Sequence, residues 1–270
     1  MKSLIIKILP ENISRLMKRI YLAIRGLYYY GYSYHCQICD HHFRKMLPGG
    51  FDLEVIKKMN IIGSGRRDNN ICPYCQSTDR DRLVYLYLSQ ETQIFNKKVR
   101  ILHISPEPAL YDNLKNHSNI LYVTGTKYSE GIYYHKYIKS IDLLELPYGD
   151  GEFDLVICNH VLEHIDDDIK AISEIYRVIT DGGSAILQVP ISNQLEVTYE
   201  DSSITSKKGR EKHFGQFDHV RIYGRDYPKR IENAGFKVQK YSPFSAEYLE
   251  KVLNQFALNK NEKLFIAHKN

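Results

Sequence analysis

No stretch of this chain approaches the roughly 20 consecutive apolar residues that a membrane-spanning helix needs. The segment Met1–Leu9 holds Lys2 and Lys7 among short apolar pieces. It is too short and too interrupted for a secretory leader, and no small-residue cleavage site follows. Cysteine is scarce, and four of the five sit in two paired motifs. That pattern argues for metal ligation rather than disulfides, and so for a reducing cytoplasm. Net charge is missing from most of the chain. Residues 1–34 carry Lys2, Lys7, Arg15, Lys18, Arg19 and Arg25 against Glu11 alone, which accounts for the whole net charge of +5. The remaining body is neutral and lacks the broad basic surface of a nucleic-acid binder.

The 270 residues suffice for a large domain with a small module beside it. The N-terminal region reads as a basic amphipathic helix from about Glu11 to Tyr30. Ile13, Leu16, Met17, Ile20, Ile24 and Leu27 form its apolar stripe. Such a helix docks its stripe on the body or on a second subunit in an oligomer. Its other reading is a peripheral contact with the inner face of a membrane, or with a lipid-linked substrate.

Cys36-Gln-Ile-Cys39 and Cys72-Pro-Tyr-Cys75 are separated by 32 residues. Two C-x-x-C pairs at that distance are the ligand set of a closed tetrahedral site, a structural Zn2+ that clamps two knuckles together. Residues 35–90 therefore read as a four-cysteine, zinc-ribbon-like module. Four thiolates leave no open coordination position, which excludes a catalytic role for that metal. His35, His41 and His42 crowd the first pair, and one of them is an alternative ligand. Cys158, inside an apolar run, reads as a small buried hydrophobe. Arg66, Arg67, Arg80 and Arg82 lie beside Asp68, Asp79 and Asp81. They form either a self-paired solvated surface or an anion-recognition patch.

From Lys98 onward short apolar runs alternate with helical patterns. The runs are Val99–Ile104, Ile120–Thr124, Phe153–Cys158, Ser184–Val189, Gly235–Gln239 and Leu264–His268. Ile169, Ile172, Ile175, Tyr176 and Ile179 recur at helical spacing, and Asp181-Gly182-Gly183 is the expected stop. The pattern predicts an α/β fold, doubly wound around a mostly parallel sheet. Such sheets bind ligands beyond the carboxyl ends of their strands. Glu200–Arg210 is polar and unpatterned and reads as a mobile loop.

The carrying residues Asp142-Leu143 through Leu146-Pro147, Phe153-Asp154, Asn159-His160-Val161-Leu162-Glu163-His164 and Ile175-Tyr176-Arg177-Val178 before Asp181-Gly182-Gly183 resemble the class I S-adenosylmethionine-dependent methyltransferases, type 11 group. The cysteine pairs, Asp79-Arg80-Asp81-Arg82 and the block His213–Arg221 look like a zinc-bearing subgroup associated with surface-polysaccharide synthesis. The resemblance covers about residues 98–270 and implies a seven-stranded Rossmann-like methyltransferase domain over 91–270. It implies S-adenosylmethionine as cofactor, near Ser105, Pro106, Glu107, Thr126 and Lys127. Asp142 would accept the adenine amino group beside Leu143, and Asn159 and His160 would lie near the methyl. Two features depart from the family pattern. The loop Ser105-Pro106-Glu107-Pro108 has no glycine, and His103 and Thr126 stand where acidic residues are common.

The implied activity is methylation of a small-molecule or glycan acceptor, an activated or lipid-linked sugar. The alternatives are an RNA methyltransferase that grips its substrate with the zinc module, and a non-catalytic scaffold. A hydroxyl acceptor needs a base, and His160 is the first candidate. His213, Asp218 and His219 form a second set in a segment that would fold over the cleft, and Arg221 would bind an anionic part of the acceptor. His160, Glu163 and His164 also spell the H-x-x-E-H peptidase motif. That motif needs one helical face, whereas His160 falls at a strand end.

Overall fold

Both faces of the central strands are apolar, and helices cover each face. The computed structural model describes residues 11–128, 138–245, 250 and 253–270, so Met1–Leu9 with Lys2 and Lys7 lies outside the described residues. The main sheet comprises β1 (Val99–Ile104), β2 (Ile120–Thr126), β3 (Lys139–Ser140), β4 (Phe153–Asn159), β5 (Ile179–Gln188), β6 (Lys237–Tyr241) and β7 (Leu264–His268). Their spatial order is β3-β2-β1-β4-β5-β7-β6. All pairs from β3 to β5 are parallel, and β7 runs antiparallel to both β5 and β6. The order reverses between β1 and β4, which opens a crevice at their carboxyl ends. This is the expected mostly parallel, doubly wound sheet.

The helices include α1 (Glu11–Tyr28), α2 (Asp79–Gln90), α3 (Pro108–Leu114), α4 (Asp168–Val178), α5 (Lys207–Phe214) and α6 (Tyr227–Glu232). In β4, Val156 and Cys158 pack with Ile172 and Ile175 of α4 and Tyr227 of α6. Leu155 and Ile157 face the other side, against Leu83 and Leu88 of α2 and Leu110 of α3. That second core continues into Cys36, Phe43, Met46 and Cys72. The cysteine-bearing segment and the sheet thus share one core. Each fully buried Leu or Ile in it contributes about 1.5–3 kcal/mol relative to exposure.

Three local expectations are corrected. Helix α4, capped by Asp167 accepting from Lys170 N at 2.9 Å, ends at Val178. The β-branched run Val178-Ile179-Thr180 prefers extended backbone and starts β5 before the glycines are reached. Asp181-Gly182-Gly183 is a bulge inside β5: Ile179 pairs with Phe153 but Ser184 with Leu155, and Gly182 has φ +78°. Part of the expected mobile loop is helix α5. The Ser206 side chain accepts from Gly209 N at 3.1 Å, and Gly215 ends the helix at φ +85°. Helix α1 does not bury its stripe against the described residues: Leu16, Ile24 and Leu27 are 57%, 61% and 76% exposed. Its last turn is anchored through Arg25 Nε donating to Pro73 O at 2.6 Å. No described helix is long and apolar enough to cross a membrane.

Arg82 is no solvated surface residue. Its side chain is fully buried and donates to the carbonyls of Asn70, Ser77, Phe256 and Ala257 at 2.8–2.9 Å. Replacing it strands four buried acceptors. Arg82→Leu is expected to lower unfolding stability by about 3–5 kcal/mol in urea titrations. Arg82→Lys should recover only part of this, because an ammonium cannot span the guanidinium fork.

Candidate functional site

Ile104 of β1 pairs with Gly125 of β2 and with Cys158 of β4. The next residues, Ser105, Thr126 and Asn159, therefore line up along the crevice. Ser105 Oγ lies 2.7 Å from Thr126 Oγ1. Ser105 and His160 have φ of +48° and +53°, a left-handed backbone that residues with a Cβ rarely adopt. Each costs about 1–3 kcal/mol and persists because its surroundings fix it. Ser105 N donates to Gly125 O at 2.8 Å, and His160 N to Gln188 O at 2.7 Å. The glycine-free loop thus takes the conformation that glycine ordinarily supplies. Pro106 and Glu107 lead into α3, where Pro108 occupies the first turn and its missing N–H goes unneeded.

His103 is fully buried beneath this loop, with Nδ1 2.7 Å from Tyr122 OH and Nε2 2.8 Å from Glu107 Oε2. Burial would raise the Glu107 carboxyl, but the hydrogen bond and charge of His103 hold it below its usual value. Asp81 packs nearby. Burial, reinforced by Glu107, pushes its carboxyl up to about 7. The side-chain amide of Asn159 is buried close to the Glu107 carboxylate, with neither of its polar atoms in good hydrogen-bond geometry. Farther along the edge, Asp142 accepts from Lys127 Nζ at 2.7 Å and from Leu144 N at 3.0 Å. The Lys127 hydrogen bond, more than any other contact, depresses its pKa. Leu143 is buried. A buried amide at one end and a partly exposed, Lys127-paired carboxylate at the other thus mark the two ends of the strand edge across β4, β1 and β2.

Beside the crevice lies a cavity of about 310 Å³. One wall comes from the cysteine-bearing segment, with Gly63, Arg67 and Arg80; the other holds His160, Glu163, His164 and His219. Arg67 makes a two-pronged ion pair with Asp79 at 2.7 and 2.9 Å. Arg80 Nη1 donates to Gly63 O at 2.9 Å and lies 2.9 Å from His160 Nε2, while its Nε is buried without a partner. Gly63 is at φ +93°, and a Cβ there would sit 3.3 Å from Glu262 and 3.4 Å from His160. Burial, then the Arg80 charge, pushes the His160 pKa well down, which keeps the ring neutral. His164 and His219 are also lowered by burial, His219 to about 4. Burial raises Glu163 to about 8 and Glu262 to about 7.

Among the described residues two groups could hold a metal. The sulfurs of Cys36, Cys39, Cys72 and Cys75 lie within 4.8 Å of one another, with Cys36–Cys75 at 3.6 Å and Cys39–Cys72 at 3.8 Å. Those separations are far too long for a disulfide and match tetrahedral metal–sulfur bonds of ~2.3 Å. His35 pairs instead with Asp40 at 2.8 Å, and His41 stacks on Tyr74. The second group is Glu163, His164 and His219.

The structure brings His160 and His219 to one cavity and sets Asp218 behind it, 3.3 Å from His164 Nδ1. It leaves His213 outside, 3.0 Å from Tyr199 OH. Arg221, expected to meet an acceptor, is buried and engaged within the fold. It donates to Glu200 at 2.8 Å and to the carbonyls of Leu162 and Asp166 at 3.0 and 2.8 Å. The positive charge at the cavity comes from Arg67 and Arg80, which sequence reading placed on an undecided patch. Glu163 and His164 were legible only as a helix start. Nothing in the sequence pointed to Glu262, whose partner Gln188 is 74 residues away.

Residues 92–187 match the family model described as "Methyltransferase domain". A Mycolicibacterium smegmatis protein named "Probable S-adenosylmethionine-dependent methyltransferase" is 28% identical over 102 residues, 38% of this chain and 35% of that protein. Ajmaline N-methyltransferase of Rauvolfia serpentina is 46% identical over 46 residues, 17% of this chain and 16% of that one. The chain thus spans about a third or less of these curated relatives. A solved S-adenosylmethionine-dependent methyltransferase of Archaeoglobus fulgidus overlays with a TM-score of 0.44 at 17% identity, covering 72% of this chain and 96% of that one.

Because Arg221 is engaged within the fold, Arg221→Met is expected to cost about 2–4 kcal/mol in denaturant unfolding. Ligand affinity at the β1–β4 crevice, measured below the transition, should stay unchanged.

Proposed function

We propose, from the class I methyltransferase domain that this chain carries in residues 92–187, that it transfers a methyl group from S-adenosylmethionine to a saccharide, an activated or lipid-linked sugar. The observation that carries the reading is adjacency. The row Ser105, Thr126 and Asn159 ends one residue before His160, which opens on the arginine-lined cavity.

The crevice residues fit the cofactor. Asn159 offers a buried amide with neither polar atom in good hydrogen-bond geometry, and Asp142 an accessible carboxylate for the adenine amino group. When bound, the cofactor supplies an electrophilic methyl on its sulfonium. The chain positions the acceptor across the strand ends and holds water out of the cavity. His160, kept neutral by burial and by Arg80, is in the form that accepts a proton from an acceptor hydroxyl. Arg67 and Arg80 favour an acceptor with an anionic group, such as the diphosphate of an activated sugar. In this reading the four thiolates hold one structural Zn2+, whose net negative charge is partly offset by Arg82 close by. The open stripe of α1, rimmed by basic side chains, supports an acceptor held at an anionic lipid surface.

Calorimetry on the zinc-loaded chain should show S-adenosylmethionine binding, and Asp142→Ala should weaken it about tenfold or more. Absence of binding to the unaltered chain sinks the reading. Labelled methyl groups should pass to nucleoside-diphosphate or polyprenyl-phosphate sugars; label found on RNA instead rejects the saccharide.

A further inference from the structure

We propose that Glu163, His164 and His219 form a second metal site, which takes a divalent transition-metal ion and leaves coordination positions open to the cavity. Their ligating atoms all lie within 4.8 Å of one another. Glu163 and His164 come from the short 3-10 turn Leu162–His164, and His219 from the loop that follows α5. Two cross-links fix these pieces together. Val220 N donates to Glu163 O at 2.9 Å, and Arg221 Nη1 to Leu162 O at 3.0 Å. The cation that seemed suited to an acceptor therefore serves to hold the cluster.

Each histidine has a polar partner on Nδ1. His219 Nδ1 faces the Phe214 carbonyl at 3.3 Å, which leaves Nε2 directed at Glu163 Oε1, 4.0 Å away. His164 Nδ1 faces the Asp218 carboxylate at 3.3 Å, and the two rings meet edge to face with centroids 4.7 Å apart. A carboxylate or carbonyl behind the imidazole is the usual outer shell of a metal-bound histidine. Independently, Glu163 is 1% exposed, and its Oε2 is buried without any hydrogen-bond partner. A buried carboxylate oxygen left unpaired is costly unless something positive completes it. His160 stays outside the set: its Nδ1 is 3.3 Å from Glu163 Oε1, but both ring nitrogens lie 2.9–3.0 Å from Arg80 Nη1.

Two imidazoles and one carboxylate are the donor set of open sites for zinc and its neighbours, unlike the closed four-cysteine cluster. Resting on the methyltransferase reading, the open position would take the acceptor's oxygen. A hydroxyl bound there would ionise nearer neutral pH, its proton passing to the His160 imidazole in the same cavity.

The test adds Zn2+ to the full chain, removes unbound metal by gel filtration, and counts metal. The expected content is about two ions per chain, falling to about one in His164→Gln and in His219→Gln. Asp218→Asn should weaken the second ion about 10–100-fold. In cobalt-loaded protein the thiolate charge-transfer bands of the cysteine cluster should survive in His164→Gln while the other cobalt bands vanish. His164 is partly exposed, so that variant keeps the test open if His219→Gln does not fold. One ion in the unaltered chain, or two in His164→Gln, overturns the site. S-adenosylmethionine calorimetry on the same samples keeps the two ideas apart: cofactor binding with one metal rejects the site alone, and two metals without cofactor binding reject the activity alone.

Discussion

The buried guanidinium of Arg82 is the constraint on which the other parts depend. It bonds to the strand that precedes the second cysteine pair, to the knuckle at Ser77, and to the loop at Phe256 and Ala257 before the last strand. Phe256 and Ala257 lie 174 and 175 residues from Arg82 along the chain. Fixing Arg82 fixes α2, and α2 begins with Asp79 and Arg80. Asp79 holds Arg67, and Arg80 reaches His160. Four successive residues of alternating sign thus join the cysteine cluster, the sheet and the cavity. A full charge in so dry a place is tolerable because four carbonyl dipoles are aimed at it and the cysteine sulfurs lie nearby.

The crevice and the cavity meet where the backbone is least relaxed. Ser105 and His160 end neighbouring strands, both in left-handed conformation. Each turns the chain sharply out of its strand. The first clears the edge for a ligand over β1. The second swings an imidazole toward Arg80 and away from the Asn159 amide. A relaxed strand end at either place would continue along the sheet and close the opening.

Much of the sheet was legible because its strands are short, apolar on both faces and bounded by polar breaks, as β1 and β4 show. The four-cysteine cluster was legible for a different reason: a C-x-x-C pair encodes its own knuckle. What stayed hidden depends on distant partners. Arg82 and Arg221 look like surface cations until the carbonyls around them are known. The expected helix stop at Asp181 failed because Val178-Ile179-Thr180 had already turned the chain into strand. Helix α5 escaped notice because its sequence, KKGREKHF, carries no apolar period, and only Ser206 and Gly215 mark its ends. The cavity wall could not be anticipated, since Gly63 and His160 approach one another across almost a hundred residues of chain.

Strand β7 lies between β5 and β6 and runs against both. This placement has a temporal consequence. During synthesis β1 to β6 emerge from the ribosome before β7, so β5 and β6 must wait as unpaired edges with a gap of one strand between them. Arg82 waits as well, since two of its four carbonyls belong to Phe256 and Ala257. The early cysteine pairs need no such delay, because both knuckles are complete by Cys75. Maturation of the nascent chain would therefore start at the sulfurs and finish at the sheet, with the final strand acting as the wedge that locks the first third of the chain in place.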